Sequence, residues 1–162
     1  ISASPFWFCH LPHFTLNKIK RITRKYARVF GVKALFFDFI KMPDAETSNK
    51  EWQELGVLAY GLKALASTEN MPVMTAVQIN REGRKEWREG GDMDSDFYAG
   101  SDRIGHAMDV GMTLRRPTKK ESEEQDIFRV LEVTDNRHGA QNLKMLLSFR
   151  GDICKLEEVR HL

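Results

Sequence analysis

Residues 33–42 read KALFFDFIKM. From Ala34 to Ile40 every residue is apolar except Asp38. A run this short and this apolar suits a parallel β-strand buried on both faces, because crossover helices cover both sides of such a sheet. Asp38 then falls at or just past the strand's C-terminal end. Upstream, Leu16, Ile19, Ile22, Tyr26, Val29 and Phe30 recur at helical spacing, with Thr15 as N-cap and Gly31 as C-cap. The opposite face of that helix carries Lys18, Lys20, Arg21, Arg24, Lys25 and Arg28 and no acid. Such a face reads as solvated, or as a subunit or nucleic-acid surface. Further upstream, PFWFC (5–9) reads as a short strand and HLPHFT as a loop.

Downstream, PDAETSN (43–49) is a polar loop in which Ser48 or Asn49 suits a helix N-cap. Trp52, Leu55, Leu58 with Ala59, Leu62 and Leu65 with Ala66 form a long amphipathic stripe. Gly56 and Gly61 interrupt it, each costing about 1 kcal/mol relative to Ala. PVMTAVQI follows as a second buried strand, closing in Gln78, Asn80 and Arg81. Helix, strand, helix, strand predicts a parallel sheet with crossover helices. The fold class expected is therefore α/β.

Residues 81–100 have no apolar period, four glycines and dense charge of both signs, which marks a long functional loop or a disordered one. Beyond it DVGMTLRR, DIFRVLEVTD and NLKMLLSF read as three strands. PTKKESEEQ and RHGAQ supply the two turns of an antiparallel meander.

The 162 residues suit one domain or a large part of one. With 41% hydrophobic and 30% charged residues the composition is that of an ordered globular protein. No apolar run approaches the roughly 20 residues that span a bilayer, and residues 1–10 lack the features of a signal peptide. The absence of an initial Met predicts a fragment or a processed product. A net charge of +2 does not by itself identify a nucleic-acid binder. Cys9 and Cys154 are too far apart in sequence for a CxxC pair and read as reduced thiols. The lone HxxH of His10 and His13 lacks further ligands at zinc spacing.

Several residues carry candidate chemistry. A carboxylate at the C-terminal end of a buried parallel strand faces the crevice where open α/β sheets bind ligands. Asp38 reads there as a Mg²⁺ ligand in phosphoryl transfer, or as a simple strand-end cap. Gln78 and Asn80 repeat the pattern on the next strand, where amides can donate to a phosphate and accept from an attacking water. Their other reading is that of ordinary polar residues leaving a sheet. Arg137, in DNRHG, sits at an antiparallel turn, a place where an Arg more often does nothing specific.

The order of these pieces resembles the C-terminal domain of DnaB-like replicative helicases nearly end to end. The resemblance rests on ARVFGVKALFFDFIKM, LAYGLKALASTENMPV, TAVQINREG, SDRIGHAMDVGMTLRR and VLEVTDNRHGAQNLKMLLSF. QINR, with Ile79, stands where the family closes a strand in Gln-Leu-Asn-Arg. Ser101, Ile104, Asp109 and Val110 keep a similar spacing.

The resemblance implies the C-terminal portion of a RecA-like P-loop NTPase core. Residues 1–80 would form the αβ half with the Walker B strand, 81–100 a channel loop, and 101–162 antiparallel strands with a finger turn. It implies that Asp38 is the Walker B acid on Mg²⁺ and that Gln78 senses the γ-phosphate of ATP, with Asn80 beside it. Arg137 would be an arginine finger reaching a neighbouring subunit's nucleotide. The loops 43–48 and 81–100 would face single-stranded DNA, with Arg81, Arg84, Lys85 and Arg88 against its backbone. A homo-hexamer, a primase or helicase loader as partner, and the cytoplasm of a bacterium or phage host are further implications.

Two departures stand out. Asp135 occupies a position where family members often carry Lys, and AlaGlySerAsp at 99–102 replaces an Arg-Glu-Ser-Gly stretch. None of the eleven glycines begins the phosphate loop GxxxxGK[ST], which in the family lies upstream of the matched segments. These residues alone are therefore expected neither to bind ATP tightly nor to hydrolyse it. Two alternatives fit the same residues: a non-catalytic RecA-like subunit or loader, and another RecA-fold ATPase of the recombinase kind.

Overall fold

The structure is a computed structural model that describes residues 6–40, 51–77, 102–124 and 126–162, leaving aside the side chains of 51–53 and 102. Helix α1 (Leu16–Phe30) begins where Thr15 Oγ1 accepts the backbone N–H of Lys18 at 3.3 Å. It ends at Gly31, whose φ of 67° suits a residue without Cβ; Gly31 and Val32 then return their N–H groups to Ala27 and Tyr26. Both caps are as expected.

Strand β1 (Leu35–Phe37) pairs in parallel with β2 (Val73–Thr75), joined through helix α2 (Glu51–Glu69). The parallel pairing with crossover helices was expected; burial on both faces was not found. Leu35, Phe37 and Val73 pack against the helices, whereas Phe36 and Met74 point away and are exposed. Strand side chains alternate faces, and among the described residues only one face of this pair is covered.

The main core lies between that covered face, α1, α2 and the short helix α3 (Asp102–Ala107). Leu55, Leu58, Ala59, Leu62 and Leu65 of α2 bury the predicted stripe against Phe14, Ile19, Ile40, Ile104 and Ala107. The two helix glycines have a packing reason. A Cβ on Gly61 would lie 2.2 Å from a methyl of Leu16, and one on Gly56 would lie 2.8 Å from Arg103 Cδ. The bare backbone at these points admits the start of α1 and of α3.

The second half is an antiparallel meander in the order β3 (Val110–Arg115), β4 (Phe128–Asn136), β5 (Leu143–Arg150), β6 (Lys155–His161). Three of these strands and both turns were expected. The fourth, KLEEVRH, and the helix α3 were not. PFWFC is not a strand over 6–9: Trp7 stacks on Phe30 at 5.2 Å while Phe6 and Phe8 face solvent, and no backbone ladder forms there.

Candidate functional site

Asp38 directly follows β1 and is exposed, joined to Phe39 by a cis peptide bond. The two chain segments stay together beyond the strands. Thr75 Oγ1 donates to Phe37 O at 2.6 Å, and Ile40 N donates to Ala76 O at 2.9 Å. Asp38 therefore stands at the C-terminal edge of a parallel pair, beside the segment that leads on to residue 78. That is the edge where α/β sheets bind ligands. Gln78, Asn80, Arg81, Arg84, Lys85 and Arg88, and the loops 43–48 and 81–100, lie outside the described residues.

Arg137 is described, and it is held from three sides. Its backbone N–H donates to Asp109 O at 2.8 Å, and Nη2 donates to His106 O at 2.9 Å. Nη1 stands 3.7 Å from Asp109 Oδ1. The other carboxylate oxygen of Asp109 accepts from Lys63 Nζ of α2. The hydrogen bond from Lys63, foremost, holds the Asp109 carboxyl below the usual carboxylate range; the field of Arg137 adds to this and desolvation opposes it. The turn between β4 and β5 is thereby fastened to the end of α3 and to α2. Lys63 was not among the residues singled out from sequence, because a Lys on the polar side of an amphipathic helix carries no sign of a carboxylate 46 residues away.

The neighbouring Asp135 has its Oδ2 shielded from solvent without a hydrogen-bond partner among the described residues. A second charged cluster lies further along the sheet. Arg115 makes a two-pronged contact with Glu121 (2.7 and 2.6 Å) and approaches the fully buried Glu132 at 3.4 Å. Lys144 Nζ stands 3.2 Å from the other oxygen of Glu132. Among the described residues no group of three or more His, Cys, Asp or Glu is placed to hold a metal ion. No helix among them is long and apolar enough to cross a membrane.

In fold, this parallel pair and antiparallel meander match the RecA-like class of helicase ATPase domains. "The Structure Of A DnaB-Like Replicative Helicase And Its Interactions With Primase" matches 90% of this chain and 36% of that one, with a TM-score of 0.76 at 16% identity. At the family level the chain is a DnaB-like helicase C terminal domain, matched over residues 1–158, and it belongs to that family. It is 29% identical over 135 residues to the SPbeta prophage-derived protein YorI of Bacillus subtilis, covering 78% of this chain and 27% of the relative. It is 28% identical over 147 residues to the replicative DNA helicase DnaB of Mycoplasma genitalium, covering 85% of this chain and 31% of that protein. The chain thus spans about a third of these relatives or less.

Proposed function

We propose that this chain is the nucleotide-sensing half of a hexameric, ATP-dependent DNA helicase motor, inactive by itself. The observation that carries this reading is the placement of Asp38 at the C-terminal edge of the β1–β2 pair, within a chain that the helicase family matches over residues 1–158. Mg²⁺ commonly takes one or two carboxylates and completes its shell with phosphates and water. A single exposed strand-end carboxylate fits that role. When bound, Mg²⁺ and the ATP phosphates would supply the reacting bond and the neutralisation of its charge.

The chain's own residues then have distinct tasks. Asp38 would hold the cation, while Gln78 and Asn80 would bond the terminal phosphate and orient the attacking water. Arg137 reaches the neighbouring subunit's nucleotide with donors that its tether to Asp109 and His106 leaves free, since a guanidinium carries five. Arg81, Arg84, Lys85 and Arg88 track the backbone of single-stranded DNA in the ring's channel. A primase or helicase loader is the expected protein partner.

Two measurements test this. ATP turnover by the 162-residue chain should be absent; turnover that disappears in Asp38→Ala would show the inactivity to be wrong. In a protein that joins this chain to a phosphate loop, strand separation should be lost in Asp38→Ala. Arg137→Ala should lower turnover by about 10³-fold or more, as for fingers supplied in trans. Mixing Arg137→Ala subunits into wild-type rings should depress the rate beyond simple dilution. ATP binding without strand separation would favour the non-catalytic subunit or loader.

A further inference from the structure

The polar face of α1 carries six cations between Lys18 and Arg28 and no acid. Asn17, Lys20, Arg21, Arg24, Lys25 and Arg28 line one open groove along it. Among the described residues Arg24 alone of these has a counter-charge, donating Nε to Glu69 at 2.7 Å. Lys20, Arg21, Lys25 and Arg28 make no ion pair among the described residues.

A helix face that serves only to meet water usually interleaves acids with bases four residues apart, because such pairs stabilise the helix. Here the positions four apart are Lys20 with Arg24, Arg21 with Lys25, and Arg24 with Arg28, all of one sign. The helix macrodipole accounts for Arg28 in the last turn but for none of the others. A polyanion lying along the groove would convert this mutual repulsion into attraction.

The spacing fits a phosphodiester strand. From Lys20 to Arg28 the axis advances about 12 Å, and one strand of a duplex places a charge every ~3.4 Å of its axis, so roughly three or four phosphates would face the four cations that have no ion pair among the described residues. The aromatic residues of α1 lie elsewhere: Tyr26 and Phe30 pack against each other on the far side, with Trp7 over Phe30. With no ring in the groove to stack on a base, the contact would be to the backbone alone.

We propose that this face of α1 binds the phosphate backbone of nucleic acid without regard to sequence, as a surface separate from the loops assigned to the ring's channel.

The test is fluorescence anisotropy of the full chain with a labelled, mixed-sequence 20-base single strand, titrated over a range of salt and without ATP. Affinity should fall linearly on a log–log plot. Replacing Lys20, Arg21, Lys25 and Arg28 together by Ala should lower the slope by about 3, or about 0.7 for each cation. Lys119→Ala with Lys120→Ala, two exposed charges in the β3–β4 connection, should leave it unchanged. The single variants Arg21→Ala and Arg28→Ala carry the same test if the quadruple variant does not fold. An unchanged slope in the α1 variants overturns the proposal, as does an equal loss per charge in the Lys119/Lys120 control. So does tighter binding of poly-glutamate than of the oligonucleotide at equal charge, which would make the partner an acidic polypeptide.

Discussion

Asp109, just past the end of α3, joins Lys63 on α2 to Arg137 on the β4–β5 turn, and Arg137 in turn bonds the His106 carbonyl. Its partners are each a third to a half exposed, so the network contributes about 1 kcal/mol at most to stability. Its larger effect is on order. Asp109→Ala should leave the melting temperature within a few degrees of wild type while the NMR order parameter of Arg137 Nε–Hε falls; an unchanged order parameter would show that the His106 carbonyl holds the guanidinium unaided. Gly61 offers a second test at this scale. Gly61→Ala gains helix propensity worth up to about 1 kcal/mol but drives a methyl into Leu16, and overpacking costs about 1–3 kcal/mol. The net result should be a modest loss in urea unfolding, reversed to a gain when Leu16→Ala is added. Neither contact was legible in the sequence. Asp109 was noticed for its spacing and Gly61 as a weakness in a helix, but which side chain meets which is decided by the tertiary approach of α1, α2 and α3.

Elements with a strong period and clear caps were legible, and those without were not. The Thr15 to Gly31 helix and the β1–β2 pairing followed from apolar spacing and turn residues. β6 escaped because every residue of KLEEVRH is exposed. An edge strand guarded by charge has no buried face to give it an alternating pattern. PFWFC erred the other way, since an apolar run makes a strand only where a neighbour completes its hydrogen bonds. Of the candidate site, the position of Asp38 just past β1 could be anticipated, but not the tether that restrains Arg137. The long β3–β4 connection is held by the Arg115–Glu121 contact, with Thr118 donating to Glu121 through both N and Oγ1 and Arg160 donating to its carbonyl. Arg115, first among these groups, lowers the Glu121 carboxyl from 4.5 to about 2. A carboxyl depressed in the folded state stabilises fully above its unfolded pKa and loses that contribution as pH falls through the folded one. Glu121→Gln should therefore lower stability at pH 7, and its stability should fall less steeply than wild type between about pH 4.5 and 2. Parallel acid-unfolding curves for the two chains would show that the contact does not hold the connection.

Across the whole molecule, the two sheets share a bias that neither shows alone. On the meander, Met112 pairs with Val133 and Leu114 with Leu131, and those residues pair onward with Leu143 and Met145, so one face is apolar across three strands. Met112 is 55% exposed, Leu114 53% and Leu143 48%. The β1–β2 pair likewise leaves Phe36 and Met74 open to solvent. The opposite face of the meander is closed, with Val130, Glu132 and Leu146 buried. Soluble monomers rarely leave a contiguous apolar patch of several hundred Å² bare, and such patches mark interaction surfaces. The isolated chain should consequently enhance ANS fluorescence under native conditions and self-associate as its concentration rises. Met112→Lys with Leu114→Lys should reduce both while leaving the melting temperature of the dilute chain unchanged, because at half exposure these side chains contribute little to the core. If the native chain stays monomeric and dark to the dye, the apolar face must be closed in solution by contacts absent from this arrangement. If instead the lysine pair unfolds the chain, Met112 and Leu114 belong to a core and not to a surface awaiting a partner.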